Sequence, residues 1–259
     1  MNTVKRIIEM TANLTQPPMT QGLHYNLEQN FQSFHNFPIE TNLDVLQANI
    51  AILGIPFGAP YSMAEVSNDQ VFAPTHIRKH CGRALRGLDR YDFDIGGTLL
   101  DGKDICVVDC GDVIGRAEDV YGNHILSEQA VRKILKGGAL PIILGGDHSI
   151  PIPVFTAFEN EGPITLIQVD AHIDWRDKFH GVSDGLSSVI RRAAELDHID
   201  EIFQIGLRSA GSARTQEVEA ALAYGAHLIS DTELQDVGMK VILDRIPDNG
   251  KYYLTIDAD

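Results

Sequence analysis

Ile164-Thr165-Leu166-Ile167-Gln168-Val169-Asp170-Ala171-His172-Ile173-Asp174 is the stretch that decides how this chain folds. Its first six residues form an apolar run that reads as a buried strand. Three metal-type side chains follow at alternate positions. Successive side chains on an extended backbone point to opposite faces, so Asp170, His172 and Asp174 are expected to project to one side and Ala171 and Ile173 to the other. Two hard carboxylates beside an imidazole suit a divalent cation better than a phosphate or a heme. A polar strand end that caps the next helix is the plainer reading of this stretch taken alone.

Outward from it, short apolar runs and helical patterns take turns. Upstream, strands are expected at Ala48–Gly54, Ile105–Val108 and Leu140–Leu144, and helices at Pro74–Leu88, Ile125–Leu135 and Ile152–Phe158. Pro74 suits a first helical position, and Gly137-Gly138 stops the second of these helices. Downstream, helices at Leu186–Leu196, Thr215–Tyr224 and Met239–Ile246 alternate with strands at Ile202–Leu207, His227–Ile229 and Tyr252–Ile256. Such spacing indicates βαβ units, hence an α/β fold with a mostly parallel central sheet in a three-layer αβα arrangement. Residues 1–47, with Pro17-Pro18 and Pro38 as breakers, read as an irregular arm; residues 48–259 read as a single α/β domain.

The composition excludes several classes of function. With 36 acidic against 21 basic residues, the formal net charge is −15. Such a surface repels nucleic acid and anionic membranes and would attract a small cation, although plain solubility is the better explanation of the charge taken by itself. Nothing approaches the roughly 18 consecutive apolar residues of a membrane span. The first twenty residues carry neither a signal-peptide core nor an arginine-rich transit pattern, so the cytoplasm is the expected compartment. Cys81, Cys106 and Cys110 are an odd number without zinc-site spacing, and reduced, packed thiols are expected.

Ligands in parallel α/β sheets bind beyond the carboxyl ends of the strands. Three expected strand exits carry acidic or imidazole groups: Gly145-Gly146-Asp147-His148-Ser149, then Asp170 to Asp174, then Asp257-Ala258-Asp259. Parallel strands would bring all three to one edge and deliver two histidines and four aspartates to one crevice. That is enough for two divalent cations sharing bridging carboxylates, a recurrent hydrolytic arrangement. Each piece has a duller alternative: His148 as a turn histidine, and Asp257 and Asp259 as solvated terminal acids. Gly145-Gly146 is not followed by the GxxxxGK[ST] pattern of a phosphate loop.

GGDHS, DAHxD and a late strand ending in DxD, in that order, resemble the ureohydrolase family of arginases, agmatinases and formimidoylglutamases. The resemblance runs from Ile50 onward, with supporting matches at Gly111-Asp112-Val113, His180-Gly181, Arg191-Arg192-Ala193 and Gln204-Ile205-Gly206-Leu207-Arg208. It implies two metal ions, with Mn²⁺ the first expectation and Ni²⁺, Co²⁺ or Zn²⁺ able to occupy the same ligands. One ion would be held by His148, Asp170, Asp174 and Asp257, the other by Asp170, His172, Asp257 and Asp259. It further implies attack of a metal-bridging hydroxide on a guanidinium carbon, oriented by Asp174, with release of urea and an amine. His180 stands where the family carries its proton-shuttling histidine; an imidazole suits proton delivery to a departing amine, and a loop histidine before a glycine turn is the alternative. Homo-oligomers, trimers or hexamers, are implied by the same resemblance.

The match also has limits. The loop at Tyr61–Ala73 is unlike the family's, although Pro74 and Ile77-Arg78 persist, and it lies near the substrate mouth in relatives. Lys178-Phe179 replaces the asparagine usual in arginases, and His180 to Ala193 is more like agmatinases and guanidino-acid hydrolases. Thr255 stands where serine is common, and family members continue beyond the DxD motif, so the chain is expected to lack a C-terminal segment. Agmatine is the first substrate expected; guanidinobutyrate, guanidinopropionate, guanidine and arginine remain open. A non-catalytic metal-binding subunit and a single-zinc, deacetylase-like amidohydrolase are the rival readings.

Overall fold

The computed structural model describes residues 32–62, 69–81, 90–116, 118–248 and 250–258. Among these, β1 (Ile50–Ile55), β2 (Val107–Asp112) and β3 (Leu140–Gly145) form a sheet in the order β2-β1-β3. β4 (Ile164–Val169), β5 (Ile199–Leu207), β6 (His227–Ser230) and β7 (Lys251–Ile256) form a second, in the order β6-β5-β4-β7. Every pairing in both sheets is parallel. Parallel strands need long crossovers, and these supply the helices: α1 (Ala73–His80), α2 (Val120–Lys136), α3 (Pro151–Ala157), α4 (Val189–Ala193), α5 (Thr215–Tyr224), α6 (Asp231–Val237) and α7 (Met239–Leu243).

Alternation along each strand sends apolar side chains to both faces, which is why the runs are apolar throughout. Ala51, Leu53 and Ile55 of β1 pack on Val131 and Ile134 of α2 and Val154 of α3. On the opposite face Ile52, Val107 and Leu144 are covered by Phe34 and Phe37. In the second sheet, Leu166 and Ile202 pack on Val189 and Ile190 of α4 and Ala221 of α5, while Phe203 and Ile205 meet Ile242 of α7 on the other side. The result is the three-layer α/β arrangement expected from the alternation.

The sheet itself is in two parts. Among the described residues the outer edges of β3 and β7 have no strand partner, and between them lies a cavity of about 550 Å³ lined by Leu140, Ile142, Tyr252 and Leu254. His148 and Asp257 border the same cavity, just past the carboxyl ends of the two strands. The two parts also meet through α3, where the Phe155 ring stands edge-on to Tyr253 of β7 at 4.7 Å.

Several boundaries differ from the sequence reading. The second strand runs from Val107 to Asp112 rather than over 105–108, because the buried Cys110 and the pairing of Asp112 with Gly54 carry it further. The helix expected at 125–135 starts earlier, at Val120, where Asp119 accepts from the Gly122 N–H as its cap. The helix expected over 186–196 shrinks to a 3-10 turn, Leu186–Ser188, and the five residues of α4. The helix expected at 239–246 stops at Leu243. The unexpected α6 begins at the Ser230 cap, whose hydroxyl accepts from the Glu233 N–H. Of the expected arm, residues 1–31 lie outside the described residues, and 32–47 hold 3-10 turns at Phe34–Asn36 and Leu43–Val45. Residues 82–88 of the helix expected at 74–88 also lie outside them. No helix among the described residues is long and apolar enough to cross a membrane.

Candidate metal centre

The loop after β3 is built around close backbone approach. A Cβ on Gly146 would stand 1.7 Å from the Phe57 carbonyl oxygen, and one on Gly58 would stand 2.0 Å from an Asp147 carboxylate oxygen. Only glycine admits such contacts. Asp147 is not aimed at the crevice. It accepts from the Ala59 N–H (3.1 Å), the Ser149 N–H (2.7 Å) and the Ser149 hydroxyl, while burial pushes its carboxyl upward. With Asp147 pinned, His148 is turned toward the second sheet.

There its Nδ1 meets three carboxylates: Asp174 at 2.8 Å, Asp257 at 3.2 Å and Asp170 at 3.3 Å. His148 Nε2 lies 3.1 Å from the Thr255 hydroxyl on β7. Burial alone would lower the imidazole, but the hydrogen bonds and charges of Asp170, Asp174 and Asp257 outweigh it and raise the pKa to about 10. Asp174 is raised to about 6 by burial and by the neighbouring Asp170 and Asp257 charges, against the pull of His148. For Asp170, burial is overcome by His148 and by the His172 N–H, and its carboxyl lies below the ordinary range.

These residues reach one place by a different route from the one the alternation suggests. The strand ends at Val169, and the segment beyond it bends instead of continuing extended. Asp174 has φ 47°, a left-handed conformation that aspartate tolerates better than most residues. Its carbonyl accepts from the N–H groups of Ile190 and Arg191 at the start of α4. His172 therefore does not lie beside Asp174 on a common strand face. Its side chain is 42% exposed, its N–H donates to Asp170 Oδ1 (2.7 Å), and its Nδ1 lies 3.3 Å from that oxygen. Asp170 thus turns one oxygen to each histidine.

His148, Asp170 and Asp257 offer ligand atoms all within 4.8 Å of one another. Asp174 joins them through His148, while His172 flanks the group on the far side of Asp170. Asp259 lies outside the described residues. His180 is exposed at the tip of a two-residue hairpin turn, with φ 47° there and φ 86° at Gly181, and its ring lies against Phe179 at 4.2 Å. Positive φ at both central residues is the type I′ pattern.

Two features of the site escaped the sequence reading. Gln168 and Gln204, fully buried in β4 and β5, stand behind the carboxylates of Asp170 and Asp174. The signal available was one glutamine breaking each of two apolar runs. Further back, Arg78 of α1 is buried and paired fork-on with Asp109, through Nε at 2.8 Å and Nη2 at 2.9 Å, and it also reaches Asp112 at 2.6 Å.

The donor set fits a cation. Ionised carboxylates only accept hydrogen bonds, so several converging on one point need positive charge among them. Within the protein's own charges the His148 imidazolium provides it; a divalent cation taking ligands from the same carboxylates and the neutral imidazole would satisfy them equally.

Residues 48–259 match the Arginase family. Guanidinobutyrase of Pseudomonas aeruginosa is 28% identical over 223 residues, covering 84% of this chain and 66% of that protein. Agmatinase of Bacillus anthracis is 27% identical over 214 residues, covering 82% and 68%. Of the solved structures, formimidoylglutamase from Bacillus subtilis superposes with a TM-score of 0.70 at 22% identity, over 98% of this chain and 77% of that one. Trypanosoma cruzi formiminoglutamase with Mn²⁺ superposes with a TM-score of 0.61 at 18% identity, over 78% and 68%. The chain spans about two thirds of the length of the curated relatives it matches.

Proposed function

The chain belongs to the Arginase family, and from that premise we propose that it hydrolyses a guanidino compound to urea and an amine, with agmatine, which would give putrescine, as the first substrate. The observation that carries this reading is the convergence of Asp170, Asp174 and Asp257 on His148, with Asp170 turning its other oxygen to His172. That arrangement fits a pair of divalent cations, which His148, Asp170, His172, Asp174 and Asp257 would hold, with Asp259 assigned to the same set by the family resemblance. Hard carboxylates with two imidazoles favour Mn²⁺ first, then Ni²⁺, Co²⁺ or Zn²⁺.

When bound, the cations supply the Lewis acidity that activates water toward a guanidinium carbon and offsets the charge developed there. Asp174, as carboxylate, accepts a hydrogen from the attacking water and orients it. His180 is assigned proton delivery to the departing amine; its exposed ring can exchange protons with solvent. The net charge of −15 attracts a cationic substrate such as agmatine. Guanidinobutyrate has comparable support, since a guanidinobutyrase and an agmatinase resemble the chain almost equally. A homo-oligomer in the cytoplasm is the assembly and compartment proposed.

Urea release from agmatine, guanidinobutyrate, guanidinopropionate, arginine and guanidine tests the reading. Mn²⁺, Ni²⁺ and metal-free arms run beside a His172→Ala control. Urea from one compound, dependent on metal and lost in the control, is expected. Metal uptake with no urea from any of them would mark a non-catalytic metal-binding chain.

A further inference from the structure

Gln168 and Gln204 are partners in the parallel register of β4 and β5, and neither exposes any surface. Gln204 Nε2 donates to the Ile173 carbonyl at 2.7 Å and to Gln168 Oε1. Gln168 Nε2 in turn donates to Asp170 Oδ2 at 2.7 Å and to Asp174 Oδ2 at 3.2 Å. An amide nitrogen carries two hydrogens, so all four hydrogens of the two side chains are in use.

The direction of this chain is dictated by its ends. A backbone carbonyl and ionised carboxylates only accept, so both amides must present nitrogen to them. Turning Gln204 over would set its oxygen against the Ile173 carbonyl. The orientation leaves Gln204 Oε1 buried without a hydrogen-bond partner, a burden that native interiors seldom carry without a reason. Ile173 lies between the two aspartates in sequence, so one relay grips the backbone of the ligand segment and both of its carboxylates.

We infer that Gln168 and Gln204 form a directional amide relay that positions Asp170 and Asp174 for metal binding, Gln168 directly and Gln204 through Gln168 and the Ile173 carbonyl. Neither is a ligand or a catalytic residue. By sharing one nitrogen, Gln168 holds the two carboxylates at a set separation and keeps both as acceptors. Groups behind metal ligands characteristically change affinity by about 10–100-fold when removed. The inference rests on the metal centre proposed above.

The test uses the full chain, stripped of metal and titrated with Co²⁺ and Mn²⁺. Gln168→Met keeps length and packing but removes both donors; Gln204→Met does the same one step back. Each is expected to weaken metal affinity by about 10–100-fold and to alter the visible absorption of bound Co²⁺ in protein that is folded before metal is added, a change that lost stability alone would not produce. Gln204→Met is expected to weaken affinity less in the Gln168→Met background than in wild type, because residues in one network do not act additively. Should Gln168→Met fail to fold, the affinity and Co²⁺ spectrum of Gln204→Met alone decide. Wild-type affinity and spectrum in the variants that fold, or fully multiplicative losses in the double variant, would overturn the relay while leaving the metal centre standing. No uptake of either cation by wild type would overturn the centre itself.

Discussion

Removing Arg78 tests how the fold carries charge behind the site. Asp109 has no exposed surface and takes two hydrogen bonds from the Arg78 guanidinium and one each from the N–H groups of Phe34 and Gly111. Arg78→Met keeps much of the buried stem and takes the guanidinium charge away from that carboxylate. Breaking a buried pair from one side costs about 3–5 kcal/mol. The partly exposed Asp112 adds little, since water can solvate it. The loss should depend on pH. Burial would raise the Asp109 carboxyl, but Arg78 and the two N–H groups hold it below the ordinary range. A depressed carboxyl contributes stability that is complete above its unfolded value, about 4, and is lost as pH falls through the folded value. In the variant, burial is opposed by backbone N–H groups without Arg78, so the carboxyl moves up and the folded chain takes up a proton before the unfolded chain does. The deficit is therefore largest near neutrality and shrinks toward about pH 5. Urea denaturation of the metal-free protein, read from the fluorescence of the buried Trp175 at both pH values, measures it. A deficit below about 1 kcal/mol at neutral pH, or an equal deficit at both, would refute the reasoning.

Metal uptake should release protons, because the His148 imidazole, with its pKa near 10, must give one up. Affinity is then expected to rise with pH, and calorimetry in buffers of differing ionisation enthalpy reads the protons directly. Gly146→Ala places a Cβ against the Phe57 carbonyl, so it should displace the His148 loop, lower stability by about 1–3 kcal/mol and weaken metal binding, read by thermal melting and Co²⁺ titration. Ser230→Ala should cost about 1 kcal/mol through the α6 cap and leave metal affinity unchanged, as denaturation and the same titration would show. His180→Asn should lower kcat for urea release while sparing metal binding; unchanged turnover would remove His180 from the proton path.

The fold was legible because βαβ alternation leaves few arrangements open. Apolar runs such as Ile164–Val169 and Ile202–Leu207 read correctly as buried strands, since side chains bury on both faces. Boundaries were less legible where a cap or a tertiary contact decided them. Asp119 starts α2 over residues with little helical periodicity, and Ser230 with Glu233 starts α6 by a serine-to-glutamate spacing that could have been noticed. At the site, the residue types were readable and their geometry was not. Strand alternation put His172 beside Asp174, but a left-handed Asp174 and a bend after Val169 bring Asp174 to His148 and leave His172 flanking Asp170. Gln168, Gln204 and Asp109 were invisible because each is a single polar residue in an apolar run and is paired with a residue remote in sequence, Gln168 with Gln204 and Asp109 with Arg78.

The His148 cluster is also a side-chain bridge between the two sheets. His148 is fixed to the edge of one sheet, and Asp170, Asp174 and Asp257 to the other, with no backbone ladder spanning β3 and β7 among the described residues. On the function proposed above, a cation held by both sets would tie the two sheets at this point, so that metal binding is linked to local opening of β3 and β7. Chelation should then speed amide hydrogen exchange along β3 and β7 ahead of the interior strands β1 and β5, and reloading should slow it again.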